Sequence, residues 1–232
     1  MTETVPIETL TGSDRFNAHV ARPDDDPTAA IIVIQEIFGV NAGIRRKCDN
    51  LAAAGYLAVA PDLFWRIEPG VELDPDIEEE FQRALDLMGE FNQDAGIRDI
   101  EATIHHIRRE LGVEKVGAVG YCLGGRLAYM TAARTDIDAS VGYYAVGIDQ
   151  LLGEKHAIAN PLVLHIAVED GFVDKDTQKR MHEALDDHPR VTLYDYPGVD
   201  HGFATEFGKR RDEEAAKLAD ERTAAFFDQH LR

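Results

Sequence analysis

The chain has 232 residues, 44% of them hydrophobic, which is enough for one globular α/β domain with a sizeable core. Its 43 acidic and 24 basic residues give a formal net charge of −19, which disfavours nucleic acid and anionic membranes as partners. No apolar run approaches the ~20 residues of a membrane-spanning helix, and the acidic start lacks the features of a signal peptide, so we expect a cytoplasmic protein.

Short apolar runs between turn residues predict strands along the whole chain. After an antiparallel hairpin at a sheet edge over residues 4–23, they cover residues 30–34, 56–60, 115–119, 139–144, 161–167 and 190–196. Apolar residues at helical spacing predict helices over residues 44–54, 78–91, 97–111, 126–133 and 209–230. Because strands alternate with helices, we predict one α/β domain over residues 1–232, with a mostly parallel central sheet and helices on both faces.

The first buried strand ends in residues 35–41, which read Gln-Glu-Ile-Phe-Gly-Val-Asn. Glu36 then lies at the carboxyl end of that strand, where α/β proteins bind ligands, and is a candidate site residue. The alternative is a solvated glutamate at a strand end. Residues 67–76 are rich in proline and acidic residues and predict a loop that is a candidate lid.

Cys122 lies between a predicted strand and a predicted helix, with Gly120 and Gly124 on either side. This spacing is typical of the sharp elbow that exposes a nucleophile at the end of a strand. The helix N-terminus behind the cysteine favours its thiolate form. The alternative is a small buried cysteine at a tight turn. We interpret Cys48, which lies within a predicted helix, as a small apolar residue without a catalytic role.

Asp170 and His201 each follow a predicted strand as well. The chain order nucleophile, acid, histidine is the order found in α/β-hydrolases. In such a triad His201 exchanges a proton with Cys122, and Asp170 holds the imidazole in one tautomer. Asp174 and Asp200 are alternatives for the acid, and we prefer Asp170 because it comes directly off the strand.

Taken together these motifs resemble the dienelactone hydrolases (carboxymethylenebutenolidases) over residues 31–227. The stretches that carry the resemblance are residues 35–41, 60–63, 120–125, 141–144, 170–173 and 201–203. The resemblance implies an α/β-hydrolase fold and a triad of Cys122, His201 and Asp170. It also implies that Glu36 contacts the resting cysteine and takes its proton when substrate binds. Backbone N–H groups of Leu123 and Ile37 then form the oxyanion hole.

The chain departs from the family pattern in its substrate pocket. The resemblance implies two arginines for a substrate carboxylate, one in the helix after the lid and one four residues beyond the histidine. The first position is Phe81 and the second is Thr205, and Arg66 and Arg83 are alternative cations. The side chains that we predict to contact substrate are aromatic or aliphatic: Phe38, Phe81, Leu85, Tyr143, Phe172 and Phe203.

The leading hypothesis is a cysteine-dependent hydrolase that cleaves an activated ester or lactone through an acyl-enzyme. We expect a small-molecule substrate, no nucleic acid or membrane partner, no metal or organic cofactor, and a monomer or small homo-oligomer. One alternative is a promiscuous carboxylesterase or thioesterase for neutral acyl groups. Another is a non-catalytic, redox-sensing member of the fold that uses Cys122 as a reversible oxidation site.

Overall fold

The computed structural model describes all of residues 1–232. Its strands are β1 (Thr2–Glu8), β2 (Arg15–Ala21), β3 (Ala29–Ile34), β4 (Leu57–Pro61), β5 (Lys115–Tyr121), β6 (Ala139–Tyr143), β7 (Leu162–Ala167) and β8 (Val191–Tyr196). Its α-helices are α1 (Ala42–Ala53), α2 (Glu78–Glu90), α3 (Gln93–Glu110), α4 (Leu123–Arg134), α5 (Lys175–Leu185) and α6 (Glu213–Leu231), and a 3₁₀ helix covers Ile148–Ala157. None of the helices combines the length and apolar character that a membrane crossing requires.

The eight strands follow the order β1-β2-β4-β3-β5-β6-β7-β8 in one sheet. β1 pairs antiparallel with β2, and β2 pairs antiparallel with β4. The pairs β3–β4, β6–β7 and β7–β8 are parallel. The predicted edge hairpin and mostly parallel sheet of an α/β-hydrolase fold are therefore confirmed.

The chain divides into two compact units, residues 1–117 and residues 118–232. In the first unit, β3 and β4 are buried along their whole length, as expected for continuous apolar runs, and α1 and α3 pack against them. In the second unit, α4 packs against β6 and β7, α5 packs against β8, and α6 packs against β6. A single domain over residues 1–232 stays a prediction.

Neither α5 nor the 3₁₀ helix is predicted from the sequence. α5 is polar along most of its length and buries only Gln178, Met181 and Leu185. Asp174 fixes its start, because the Asp174 carboxylate accepts a hydrogen bond from the backbone N–H of Thr177 at 2.7 Å. So few buried positions leave almost no periodic signal in the sequence.

A chain of hydrogen bonds in the second unit joins α6 to β6, β7 and β8. Its members, in order, are Arg222, Tyr196, His165, Thr223, Tyr143 and Asp220. The successive distances lie between 2.7 and 3.2 Å. Since a guanidinium only donates and a carboxylate only accepts, every hydroxyl proton points from Arg222 towards Asp220. His165 therefore accepts at Nδ1 and carries its proton on Nε2.

Burial keeps His165 neutral, with its pKa lowered from 6.5 to about 3. Below pH 6.5 the unfolded chain binds a proton at this residue and the folded chain does not, so stability falls as the pH drops from there towards 3. We expect the wild type to lose about 2 kcal/mol of unfolding free energy at pH 5 relative to pH 8 through this residue alone.

Urea unfolding at several pH values checks this expectation. Glutamine does not titrate, so His165→Gln is expected to lose about 2 kcal/mol less unfolding free energy than the wild type between pH 8 and pH 5. His156→Gln, at an exposed histidine, is the control and keeps the wild-type slope. Parallel curves for the wild type and His165→Gln would show that burial of His165 does not control stability in acid.

Candidate active site

Cys122 sits in a sharp turn between β5 and α4. Its backbone has φ 56° and ψ −114°, a left-handed conformation that residues other than glycine rarely adopt. A Cβ atom at Gly120 would lie 1.9 Å from the carbonyl oxygen of Gly124, so only glycine fits there. The N–H of Cys122 donates to the carbonyl of Tyr143 at 3.1 Å, which ties the turn to the end of β6. The strand-to-helix elbow predicted from the sequence is present, and its cysteine is half-buried.

Asp170 and His201 meet beyond the ends of β7 and β8. His201 Nδ1 lies 2.9 Å from Asp170 Oδ2, and their side chains are only 8% and 2% exposed. The other carboxylate oxygen of Asp170 accepts backbone hydrogen bonds from Phe172 at 2.8 Å and Val173 at 3.2 Å. Because both oxygens are bonded, the carboxylate can hold the imidazole in one orientation.

His201 also shares a hydrogen bond with the side chain of Cys122. Burial favours the neutral imidazole, but the negative charge of Cys122 and the hydrogen bonds to Asp170 and Cys122 outweigh it and raise the pKa of His201 to about 10. Cys122 lies at the N-terminal end of α4, whose first turn contains no acidic residue. The positive charge of a protonated imidazole and the positive end of the helix dipole therefore both lie beside the sulfur.

The two alternative acids have other partners. Asp174 caps α5. Asp200 accepts hydrogen bonds from the backbone N–H groups of Gly171 at 2.8 Å and His201 at 2.6 Å. Of the three candidate acids, Asp170, Asp174 and Asp200, it is Asp170 that bonds to the imidazole ring of His201.

Aromatic rings surround His201. Phe172 is 55% exposed and its ring centroid lies 4.9 Å from that of His201. Tyr144, which was not predicted as a site residue, has its ring centroid at the same distance of 4.9 Å from that of His201, and its backbone has φ 36°. The available signals were its position as the last residue of a predicted strand and its place in the stretch 141–144 that carries the resemblance.

Tyr143 and Phe203, two of the residues predicted to contact substrate, are fully buried. The hydroxyl group of Tyr143 is bonded to Asp220 and Thr223 on α6. The substrate contacts of Tyr143 and Phe203 stay predictions.

In the first unit, the loop after β3 carries Glu36 and Ile37. Gln35 orders this loop, because its side chain accepts from the N–H of Leu63 at 3.0 Å and donates to the carbonyl of Glu36 at 3.3 Å. Glu36 is half-buried and Ile37 is buried. Their predicted roles as proton acceptor and oxyanion donor stay predictions.

The predicted apolar contacts Phe38 and Phe81 lie together, with ring centroids 5.8 Å apart. Leu85 follows Phe81 by four residues on α2 and therefore shares its face of the helix. The candidate lid is attached beside them, since the N–H of Leu73 donates to the carbonyl of Phe38 at 2.9 Å. A Cβ atom at Gly39 would lie 1.9 Å from the carbonyl oxygen of Val71, so this attachment requires glycine.

The two arginines considered as carboxylate ligands already have acidic partners. Arg66 pairs with the buried Asp99 through both of its terminal nitrogens. Arg83 pairs with Glu68 at 2.6 Å.

Arg210 lies beside His201. Its guanidinium carbon lies 5.7 Å from the ring centroid of Phe172, and its Nη1 donates to the backbone carbonyl of His201 at 3.4 Å. Its positive charge acts on the nearby carboxylate of Asp200.

Three comparisons place these features among known proteins. Residues 16–231 match the family model described as the dienelactone hydrolase family. The carboxymethylenebutenolidase of Pseudomonas putida is 37% identical over 227 residues, which cover 97% of this chain and 96% of that one. A relative from Azospirillum brasilense, provisionally named for the same activity, is 47% identical over 218 residues, 93% of this chain and 94% of the relative. The crystal structure of a provisionally named dienelactone hydrolase from Klebsiella pneumoniae subsp. pneumoniae superposes with a TM-score of 0.85 at 28% identity, covering 99% of this chain and 100% of that one.

Proposed function

The chain belongs to the dienelactone hydrolase family, and on that premise we propose that it cleaves an activated ester or lactone through a covalent acyl-enzyme on Cys122. The observation that carries the proposal is the hydrogen-bonded series Cys122, His201 and Asp170, with the cysteine in a left-handed elbow at a helix N-terminus. A cytoplasmic location and a monomer or small homo-oligomer remain predictions.

In the first half of the proposed reaction, the thiolate of Cys122 attacks the substrate carbonyl carbon, and the carbonyl π electrons move to oxygen. Backbone N–H groups of Leu123 and Ile37 are the predicted donors to that oxyanion. When the intermediate collapses, the C–O bond breaks and the leaving oxygen takes a proton from His201. Asp170 holds the Nδ1 proton throughout, so the ring works through Nε2.

In the second half, the now neutral His201 removes a proton from water, and the resulting hydroxide attacks the thioester carbonyl. Collapse of this second intermediate releases the carboxylic acid and restores the thiolate and the imidazolium. Glu36 is proposed to contact the resting cysteine and to take its proton when substrate binds.

Because the proposed nucleophile is a sulfur atom, the substrate needs an activated leaving group. A thiolate leaves a tetrahedral intermediate more readily than an ordinary alkoxide, so an ester of a simple alcohol returns to reactants. Enol and phenol esters, whose leaving oxygens have low pKa values, proceed to the acyl-enzyme. Lactones that open to an enolate form the acyl-enzyme for the same reason, because the enolate is their leaving group.

The charge of the substrate is the open question, and a specific observation favours neutral acyl groups. Thr205 replaces one family arginine, and Arg66 and Arg83 are both held in ion pairs. Each lost charge-assisted contact to a carboxylate is worth roughly 1.5–3 kcal/mol. We therefore expect kcat/KM for a neutral enol ester to exceed that for a matched carboxylate-bearing dienelactone by about tenfold or more.

Steady-state hydrolysis of both substrates by the wild type and by Arg210→Gln checks this expectation. Arg210→Gln is expected to leave the ratio of the two kcat/KM values within about threefold of the wild type. A wild-type preference for the dienelactone that disappears in Arg210→Gln would contradict the expectation and assign the substrate carboxylate to Arg210. Arg83→Gln is the matched control, because its guanidinium already pairs with Glu68.

A further inference from the structure

We propose that Asp200 is a positioning residue for this reaction, one that fixes the loop of the triad acid to the loop of the triad histidine. A single oxygen of its carboxylate, Oδ1, accepts a hydrogen bond from the N–H of Gly171 at 2.8 Å and from the N–H of His201 at 2.6 Å. Gly171 directly follows Asp170 in the sequence. The inference rests on the proposed function, since it assigns a role relative to that triad.

The carboxylate continues a set of bonds that the two strands begin. Beyond the ends of β7 and β8, the N–H of Val168 donates to the carbonyl of Tyr196 and the N–H of Glu169 donates to the carbonyl of Val199, each at 3.0 Å. The next link along the same loops is the bond from Gly171 to the Asp200 side chain. The side chain therefore supplies a connection where the backbone carbonyls no longer pair.

The bond to Gly171 distinguishes this arrangement from an ordinary turn. An aspartate that accepts only from the N–H of its own neighbour, as Asp200 does from His201, is common in turns. The bond to Gly171 spans 29 positions of sequence and joins two separate loops. Both N–H groups donate to the same oxygen, so one atom connects the backbone next to Asp170 to the backbone of His201.

Asp200 is held in the form that accepts hydrogen bonds best. Partial burial opposes ionisation, but the two backbone N–H groups and the positive charges of Arg210 and His201 outweigh it and lower the pKa of Asp200. At neutral pH the residue is a carboxylate, and the two bonds are charge-assisted.

Loss of this link is expected to slow catalysis, because a catalytic triad works only over a narrow range of distances between its members. Productive geometry has to be kept within about 0.5 Å, and an error of about 1 Å costs roughly 100-fold in rate. If the hydrogen bonds to Oδ1 are lost, the N–H groups of Gly171 and His201 donate to water instead, and the two loops can move independently. The imidazole then spends less time aligned with both Asp170 and Cys122.

Three substitutions at Asp200 separate geometry from charge. Asp200→Ala removes the acceptor. Asp200→Asn keeps an oxygen at the Oδ1 position and removes the charge. Asp200→Glu keeps the charge but moves the carboxylate by about 1.5 Å, the length of one C–C bond.

Glu169→Ala is the matched control. It removes a carboxylate from the same loop, one that is paired with Lys175 at 3.2 Å and is 59% exposed. Its side chain pairs with Lys175 on its own side of the sheet edge and not with the histidine loop, so the substitution tests the loss of charge alone.

The measurements are kcat and KM on p-nitrophenyl acetate, the pH dependence of Cys122 alkylation by iodoacetamide, and the thermal unfolding midpoint. We expect Asp200→Ala and Asp200→Glu to lower kcat by about 10- to 30-fold with KM within about twofold, and to change the alkylation profile. Asp200→Asn is expected to stay within about threefold of the wild type in kcat and to keep the wild-type profile. Glu169→Ala should match the wild type.

Equal losses in Asp200→Asn and Asp200→Ala would overturn the proposal, because the charge and not the hydrogen bonds would then matter. Wild-type kcat and alkylation profiles in all three variants would overturn it as well. If Asp200→Ala does not fold, the contrast between Asp200→Asn and Asp200→Glu decides on its own. A wild type without Cys122-dependent turnover contradicts the proposed function instead, and the role of Asp200 is then decided by the alkylation profiles, which need no substrate.

Discussion

Replacing Cys122 with alanine is expected to lower kcat/KM on p-nitrophenyl acetate by about 10³-fold or more, since no other thiolate lies in the same environment. Cys122 lies at a helix N-terminus and is hydrogen-bonded to a histidine whose pKa is raised to about 10. Whatever rate remains comes from binding and oxyanion contacts alone. Steady-state hydrolysis at saturating and limiting substrate gives the measurement.

Cys48→Ala is the control for this substitution. Cys48 is fully buried within α1, and burial raises the pKa of its thiol far from neutrality. Its loss is expected to reduce stability through a small cavity and to leave kcat unchanged. If Cys122→Ala keeps activity within tenfold of the wild type while folding normally, the nucleophile is a different group.

Replacing Asp170 with asparagine is expected to lower kcat by about 10⁴-fold, through the tautomer of His201. In the wild type, Oδ1 of Asp170 accepts from two backbone N–H groups, and Oδ2 accepts from His201 Nδ1. The asparagine variant must keep its carbonyl oxygen on the backbone side, which turns its NH₂ group towards the ring. Nδ1 then becomes an acceptor and the proton moves to Nε2, the atom that has to receive protons.

The same exchange at Asp174 provides a matched comparison. Asp174 caps α5 with one oxygen, which asparagine reproduces, so Asp174→Asn is expected to keep wild-type kcat. NMR titration of the imidazole adds a second readout, because loss of the Asp170 carboxylate is expected to lower the pKa of His201 from about 10. A variant Asp170→Asn that stays active, or an inactive Asp174→Asn, would reverse the assignment of the acid.

The parts of the site that the sequence predicts are those with local steric or topological causes. The elbow at Cys122 requires glycine at position 120 because of a contact only four residues away, and that requirement is visible in the sequence. Asp170 and His201 are recognisable because each lies in the loop after an apolar run that becomes β7 or β8. The order of these elements along the chain then limits the topologies that are possible.

The parts that the sequence does not predict depend on contacts between distant residues. Nothing in the local sequence indicates that Arg66 forms an ion pair with Asp99, which lies 33 positions away. The bond between Gly171 and Asp200 depends in the same way on how the loops after β7 and β8 align. α5 was missed because so few of its positions are buried.

The chain of hydrogen bonds through His165 is of the same kind. A histidine inside an apolar run indicates a buried imidazole but does not identify its partners. Those partners come from α6 and β8, and they are determined by the packing of that helix against the sheet.

Trapping the acyl-enzyme tests the central claim most directly. The wild type is mixed with p-nitrophenyl acetate, quenched in acid during the first turnovers, digested and analysed by mass spectrometry. The proposed mechanism predicts one acetyl group per chain, carried by the peptide that contains Cys122, together with a matching burst of p-nitrophenol. An acetyl group on another residue, or steady turnover with no burst and no modified Cys122, would contradict it.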